Sequence, residues 1–171
     1  VIVHSGAKPV MVDLNEGDFN LNVEKVRAAI TPRTKAIMAV DISGFPADYD
    51  LLMDLINEPA IKVQFQGRND LQNQLGRILL LSDSAHSFGA FMNGKRSGSL
   101  ADISSFSFHA VNNLTTAEGG ALCFDLPEGF DHEQIYKEMC VKILHGQSKD
   151  ALAKTKKGNW RYDVEKPGFK C

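Results

Sequence analysis

Two clusters in the middle of the chain carry residue types that can do chemistry. The first is Ser82-Asp83-Ser84-Ala85-His86. The second is Ser105-Phe106-Ser107-Phe108-His109, which continues through Ala110-Val111-Asn112-Asn113-Leu114 toward Gly119 and Gly120. They lie at the ends of short apolar runs at residues 78–81 and 103–108, and a third such run follows at 121–124. Runs of this length bounded by turn residues read as strands. In an open α/β sheet, ligands sit at the carboxyl ends of strands. A carboxylate at a strand end, with an imidazole three residues on, can serve two adjacent atoms of one flat ligand. Hydroxyls followed by a polar loop can hold a phosphate, and paired glycines relax the backbone as it enters the next strand. On spacing alone, plain polar loops at both places stay open as the alternative.

The elements that must position these clusters follow from the flanking pattern. Residues 9–14, Pro-Val-Met-Val-Asp-Leu, read as a short strand with proline at its beginning. Asn22 reads as an N-cap, with Val23, Val26 and Ile30 at helical spacing, and Thr31-Pro32 ends that helix. The uninterrupted run Ala36-Ile37-Met38-Ala39-Val40 reads as a buried parallel strand. Strand, helix and strand in this order argue for a βαβ unit and a mostly parallel sheet. Asp41 follows the strand and reads as a turn former, and Leu51, Leu52, Leu55 and Ile56 give the next helix an apolar stripe. Residues 58–76 contain an expected strand at 61–65 and a short polar helix at 70–75, and read as a surface insertion. Asp131-His132-Glu133 opens a last helix, with Ile135, Met139 and Ile143 on one face and His145-Gly146 as its stop. Residues 147–171, which hold Trp160, show no sustained periodicity.

Composition narrows the class. The chain has 171 residues, with 19 basic against 21 acidic side chains, so nothing in the balance calls for nucleic acid or a membrane surface. The basic run at 154–157 reads as a solvated loop. No apolar run approaches a membrane span, and none resembles a signal peptide. Cys123, Cys140 and Cys171 are odd in number and far apart. They read as idle thiols in a reducing compartment, with the cytoplasm as the default. The abrupt apolar start Val1-Ile2-Val3, with Gly6 as a helix stop, reads as a fragment beginning inside an element.

Three segments in order, D-S-A-H-S-F-G-A from Asp83, G-K-R-S-G-S from Gly94 and S-F-S-F-H-A-V-N-N-L-T-T-A-E-G-G from Ser105, resemble the DegT/DnrJ/StrS family of sugar-nucleotide aminotransferases. The likeness extends to residues 6–13, 30–37, 44–48 and 166–170. It implies an α/β fold of three layers, a mostly parallel sheet with helices on both faces. This is the large domain of a type I pyridoxal-phosphate transferase, of which residues 1–171 would be the central part. Residues 147–171 would lead to a smaller C-terminal domain.

The resemblance also implies roles. Asp83 matches the aspartate that pairs with the pyridine nitrogen of the cofactor, His86 the residue beside its phenolic oxygen, and Ser107 a ligand of its phosphate. Asn112 stands where the family has the lysine that forms the Schiff base. A carboxamide nitrogen has its lone pair delocalised into the carbonyl, so it neither forms an imine nor shuttles a proton as an amine does. The implied activity is transfer of an amino group from an amino acid, commonly glutamate, to a nucleotide-linked ketosugar through pyridoxal and pyridoxamine phosphate, in a homodimer. Asn112 leaves two alternatives beside it, a non-catalytic cofactor-binding paralogue and a pyridoxamine-phosphate-dependent sugar dehydratase. Relatives of the latter kind carry histidine at that position.

Overall fold

Local signals set most of the element boundaries. The computed structural model describes residues 1–147 and 164–169. The chain runs α1 (Val23–Ala29), β1 (Ala36–Val40), α2 (Tyr49–Asn57), α3 (Pro59–Lys62), α4 (Asp70–Leu75), β2 (Leu79–Asp83), β3 (Phe91–Met92), β4 (Lys95–Arg96), β5 (Ile103–Ser107), β6 (Gly120–Phe124) and α5 (His132–Ile143). Asn22 caps α1 by accepting the Lys25 N–H, and Asn69 caps α4 by accepting that of Gln72. A left-handed Gly76 ends α4, so β2 starts in a defined direction. Two compact units result, Val1–Pro127 and Glu128–Cys171.

In the first unit β1, β2 and β5 are parallel and β6 is antiparallel, in the spatial order β1-β2-β5-β6. Register places Ile37 beside Leu80 and Ala39 beside Ser82. One face of the sheet therefore buries Ile37, Ala39 and Leu80 together with Val26 of α1, Leu52, Leu55 and Ile56 of α2, and Ile61 of α3. Burying each of the larger of these side chains contributes roughly 1.5–3 kcal/mol. The mostly parallel α/β sheet expected from the sequence is thus present. The opposite face presents Met38, Val40 and Leu122.

The sequence reading is corrected at several places. Residues 9–14 are not a strand: Val10 and Met11 are exposed, and Leu14 makes only an isolated bridge to Leu21. An extended segment becomes a strand only beside a partner, and among the described residues no strand pairs with residues 9–13. The expected strand at 61–65 is instead the end of a short helix, α3, and the turn that follows it. Pro59 sits in the first turn of α3 with its φ preset for a helix, and Ile61 and Phe65, four residues apart, both reach the core. β2 is shifted to include Ser82 and Asp83, because it pairs with β1 as far as Val40. The hairpin β3–β4 was not foreseen, although its turn is Asn93-Gly94 with both φ positive (50° and 81°), the strongest short hairpin signal.

In the second unit, Asp131 caps α5 by accepting the Gln134 N–H. Ile135 and Met139 are half-buried, while Ile143 is exposed. The helix ends at Ile143, and beyond its cap, Leu144, the Gly146 N–H donates to the Val141 carbonyl. A Cβ there would fall 1.7 Å from the Lys166 carbonyl oxygen, so residues 164–169 return across a position only glycine can occupy. The basic run 154–157, Trp160 and Cys171 lie outside the described residues. No helix among the described residues is long and apolar enough to cross a membrane.

The amino ends of β2 and β5 are joined by a buried ion pair. Both terminal nitrogens of Arg77 donate to the Asp102 carboxylate at 2.7 Å, and the Leu80 N–H donates to it at 2.8 Å. The two side chains are 8% and 1% exposed. Asp102→Ala should therefore cost about 3–5 kcal/mol, because it strands a buried guanidinium and a backbone donor. Urea unfolding of the full-length protein measures this, and a loss under about 1 kcal/mol would show the pair to be dispensable.

Candidate functional site

The carboxyl ends of β1 and β2 are held by a second buried carboxylate. Asp41 follows β1 directly and is 1% exposed. Its Oδ1 accepts from the Ala47 N–H at 3.1 Å and the Tyr49 hydroxyl at 2.6 Å. Its Oδ2 accepts from Ser87 at 2.5 Å, Ser84 at 3.1 Å and, more weakly, Ser82 at 3.4 Å. The hydroxyls are also linked to one another, Tyr49 to Ser82 at 2.5 Å and Ser82 to Ser84 at 2.6 Å. Burial pushes the Tyr49 phenol well above its ordinary pKa, and its bond to Asp41 pushes the same way.

This network fixes which way Asp83 points. Ser82 and Ser84 are turned inward to Asp41, so Asp83 between them lies on the other face, opposite Ser105 in the register. The backbone is tied on both sides, with Asp41 N–H to the Asp83 carbonyl at 3.0 Å and Ser84 N–H to the Ser105 carbonyl at 2.9 Å. Asp83 is half-buried, its Oδ1 accepts the Ala85 N–H at 3.2 Å, and it makes no ion pair among the described residues. Ser107, two residues after Ser105, falls on the same face of the next strand as Asp83.

The loops beyond β2 and β5 are tied together. Phe88 packs edge-on against both Phe106 and Phe108, with ring centroids 5.5 and 5.4 Å apart. The Asn113 amide donates to the Phe88 carbonyl at 2.9 Å. Asn112 turns back instead, its Nδ2 donating to the Ser107 carbonyl at 2.9 Å and to Ser107 Oγ at 2.7 Å. His86 is exposed on the first loop, and its side chain makes no hydrogen bond among the described residues. Its backbone passes so close to Gly44 that a Cβ there would lie 2.9 Å from the His86 carbonyl oxygen. The fold therefore gathers Asp83, Ser107 and Asn112 at one sheet edge and leaves His86 on the adjoining loop.

Sequence reasoning missed Asp41, which reads locally as a turn former. The available signal was three serines at 82, 84 and 87 after one strand and a lone aspartate after its neighbour, since a buried carboxylate requires donors. The sequence also gave no sign that Asn112 would bond to Ser107. The cleft of about 340 Å³ lined by Asn22, Arg27, Asp48, Asp54 and Glu58 contains none of the candidate residues. There Arg27 grips Glu58 and holds its carboxyl below the usual range.

Comparison with known proteins follows the same residues. The family model described as the DegT/DnrJ/EryC1/StrS aminotransferase family matches residues 1–67 and 68–170. The spore coat polysaccharide biosynthesis protein SpsC of Bacillus subtilis is 35% identical over 170 residues, which is 99% of this chain and 38% of SpsC. An uncharacterized protein of Methanocaldococcus jannaschii, MJ1066, is 36% identical over 171 residues, again covering 99% of this chain and 38% of its own length. Among solved structures, Spr1654 of Streptococcus pneumoniae, which carries the name of a sugar aminotransferase, superposes in its PMP form with a TM-score of 0.88. The identity is 44%, over 99% of this chain and 42% of that one. The chain thus spans roughly two fifths of the length of these relatives. Its sheet is that of the pyridoxal-phosphate aminotransferases of fold type I.

Tyr49→Phe tests the network beneath the site. Removing the hydroxyl takes one donor from a buried carboxylate and should cost about 1.5–3 kcal/mol at neutral pH. Because the folded phenol titrates above its ordinary value of 10.0, the contribution is complete below about pH 10 and is lost as pH rises toward the folded value. Wild-type stability, followed by denaturant unfolding from pH 8 to 11, should therefore fall more steeply at the alkaline end than that of Tyr49→Phe. Parallel curves would show that the phenol is not held neutral by the fold.

Proposed function

Because the chain belongs to the DegT/DnrJ/EryC1/StrS aminotransferase family, we propose that its full-length protein binds pyridoxal phosphate at the carboxyl edge of β2 and β5 and is built for transamination of a nucleotide-linked ketosugar. The observation that carries this reading is the Asp83 carboxylate, half-buried at the sheet edge, on the same face as Ser107, with no cationic partner among the described residues. A protonated pyridine nitrogen is the cation such a group fits. Ser107 fits the phosphate and His86 the phenolic oxygen. The cofactor, when bound, supplies an electron sink for the carbon next to the transferred nitrogen.

The protein's own contribution is orientation and proton control. Asp83, fixed by the inward turn of Ser82 and Ser84, would hold a proton on the ring nitrogen. Ser107, on the adjacent strand, would hold the phosphate. The amino donor, glutamate, and the sugar nucleotide would approach from the exposed loops at 85–89 and 109–119. Asn112 has no basic nitrogen to attach the cofactor or to carry a proton between donor and acceptor. With Asn112 in place, the reading is a protein that holds its cofactor without a covalent bond and does not turn over. A non-catalytic, cofactor-binding paralogue, whose pocket no longer admits a lysine at position 112, is the second reading, and Asn112 is the observation that favours it.

Asn112→Lys in the full-length protein separates the two. Restored covalent attachment should appear as visible absorbance, as a pyridoxyl label fixed by borohydride at position 112, and as amino transfer from glutamate to a ketosugar nucleotide. The protein with Asn112 should take up no borohydride-fixed label there. Attachment without transfer to any sugar nucleotide would remove the substrate class, and no attachment would leave the non-catalytic reading. The full-length protein is further expected to be a homodimer, and a stable monomer in light scattering would sink that expectation.

A further inference from the structure

We infer that Asn112 is a positioning residue for an anion: it fixes the Ser107 hydroxyl as a donor aimed at the cofactor phosphate, which the chain can therefore bind without a covalent bond. The inference rests on the cofactor site proposed above and deepens it.

The argument is a count of donors and acceptors. Asn112 Nδ2 donates to both acceptors of Ser107, the carbonyl at 2.9 Å and Oγ at 2.7 Å. The carbonyl decides which end of the carboxamide faces it. The reverse orientation would set the amide oxygen against the carbonyl oxygen, acceptor on acceptor. Ser107 Oγ also accepts the His109 N–H at 3.3 Å. A hydroxyl oxygen has two lone pairs and one hydrogen. Both lone pairs are occupied, so the remaining capacity of Ser107 is donation, and no acceptor among the described residues takes that hydrogen. The hydroxyl cannot turn to accept without losing a bond to Asn112 or His109. A donor whose direction is set in advance suits a ligand group that only accepts, and a phosphate oxygen is such a group.

Asn112 turns its amide nitrogen onto Ser107, so in this inference it acts on the ligand through that hydroxyl. The residue that removes the covalent link in this chain thereby strengthens the non-covalent hold on the phosphate, one turn of loop away from β5.

The test is a double-mutant cycle read by ligand affinity. The full-length protein and its Asn112→Ala, Ser107→Ala and doubly substituted forms are titrated calorimetrically with pyridoxamine 5′-phosphate and, separately, with pyridoxamine. Neither probe has an aldehyde, so no covalent adduct intervenes. Ser107→Ala should weaken the phosphate-bearing probe about tenfold or more, and Asn112→Ala several-fold. The double variant should be no weaker than Ser107→Ala alone, because Asn112 acts only through that hydroxyl. Pyridoxamine affinity should be unmoved by Asn112→Ala, whereas a general disturbance of the loop would weaken both probes. Additive losses, an unchanged affinity in Asn112→Ala, or equal weakening of both probes would each overturn the inference while leaving the cofactor reading in place. Wild-type protein that binds neither probe would overturn both.

Discussion

Burying a carboxylate costs several kcal/mol unless nearly every lone pair is met, and Asp41 meets that condition with donors from three separate stretches of chain. The Ala47 amide and Tyr49 hydroxyl come from the start of α2, Ser82 from the end of β2, and Ser84 and Ser87 from the loop beyond it. The hydroxyls also bond to one another, Tyr49 to Ser82 and Ser82 to Ser84. The carboxyl ends of β1 and β2 and the entry to α2 are therefore one cooperative unit, and the loop carrying His86 is anchored to it through Ser87. A hydrophobic core would bring the same strands together but would not say which side of the β2 end faces inward. The serines on either side of Asp83 do.

The sheet is thus closed at both ends by carboxylates with different duties. Asp102 faces a full positive charge and a backbone amide, and joins elements at the amino ends of β2 and β5. Among the described residues Asp41 meets no cation and is held by hydroxyls and an amide. Such a network is directional in the low dielectric of the interior, where a half-satisfied member is costly. The candidate site sits next to this second arrangement, with Asp83 turned the other way between two of its donors, Ser82 and Ser84. A site that must hold a flat ligand by two ends needs its strand ends fixed in rotation as well as in position.

Legibility in the sequence followed the range of the interactions involved. α1 and α4 were readable because their caps lie three residues from the amides they serve, and β1 because five apolar residues in a row leave little choice. The strand ends bearing Asp83 and Ser107 were readable as places where ligands sit, and their roles came only from motif resemblance. What failed depended on distant partners. Residues 9–14 have strand-like composition, but among the described residues they make no more than the one bridge from Leu14 to Leu21. Residues 61–65 have strand-like composition too, but Pro59 starts a helix and Ile61 and Phe65 are drawn into one core. Asp41 looks like any turn aspartate until residues some forty positions later are folded against it. The Asn93-Gly94 hairpin was the reverse case, a local signal that was present and was passed over.

The Arg77–Asp102 pair has a consequence for how the molecule responds to ionic strength. Exposed pairs such as Lys25–Asp13 and Lys137–Glu133 lie within reach of mobile ions, whose screening length is roughly 10 Å at 0.1 M salt and about 3 Å at 1 M. They fade together as salt is added. The buried pair is sealed from counterions by the sheet and keeps its strength. Added salt would thus loosen the exterior first, while the amino edge of the sheet holds its alignment in brine as it does in dilute buffer.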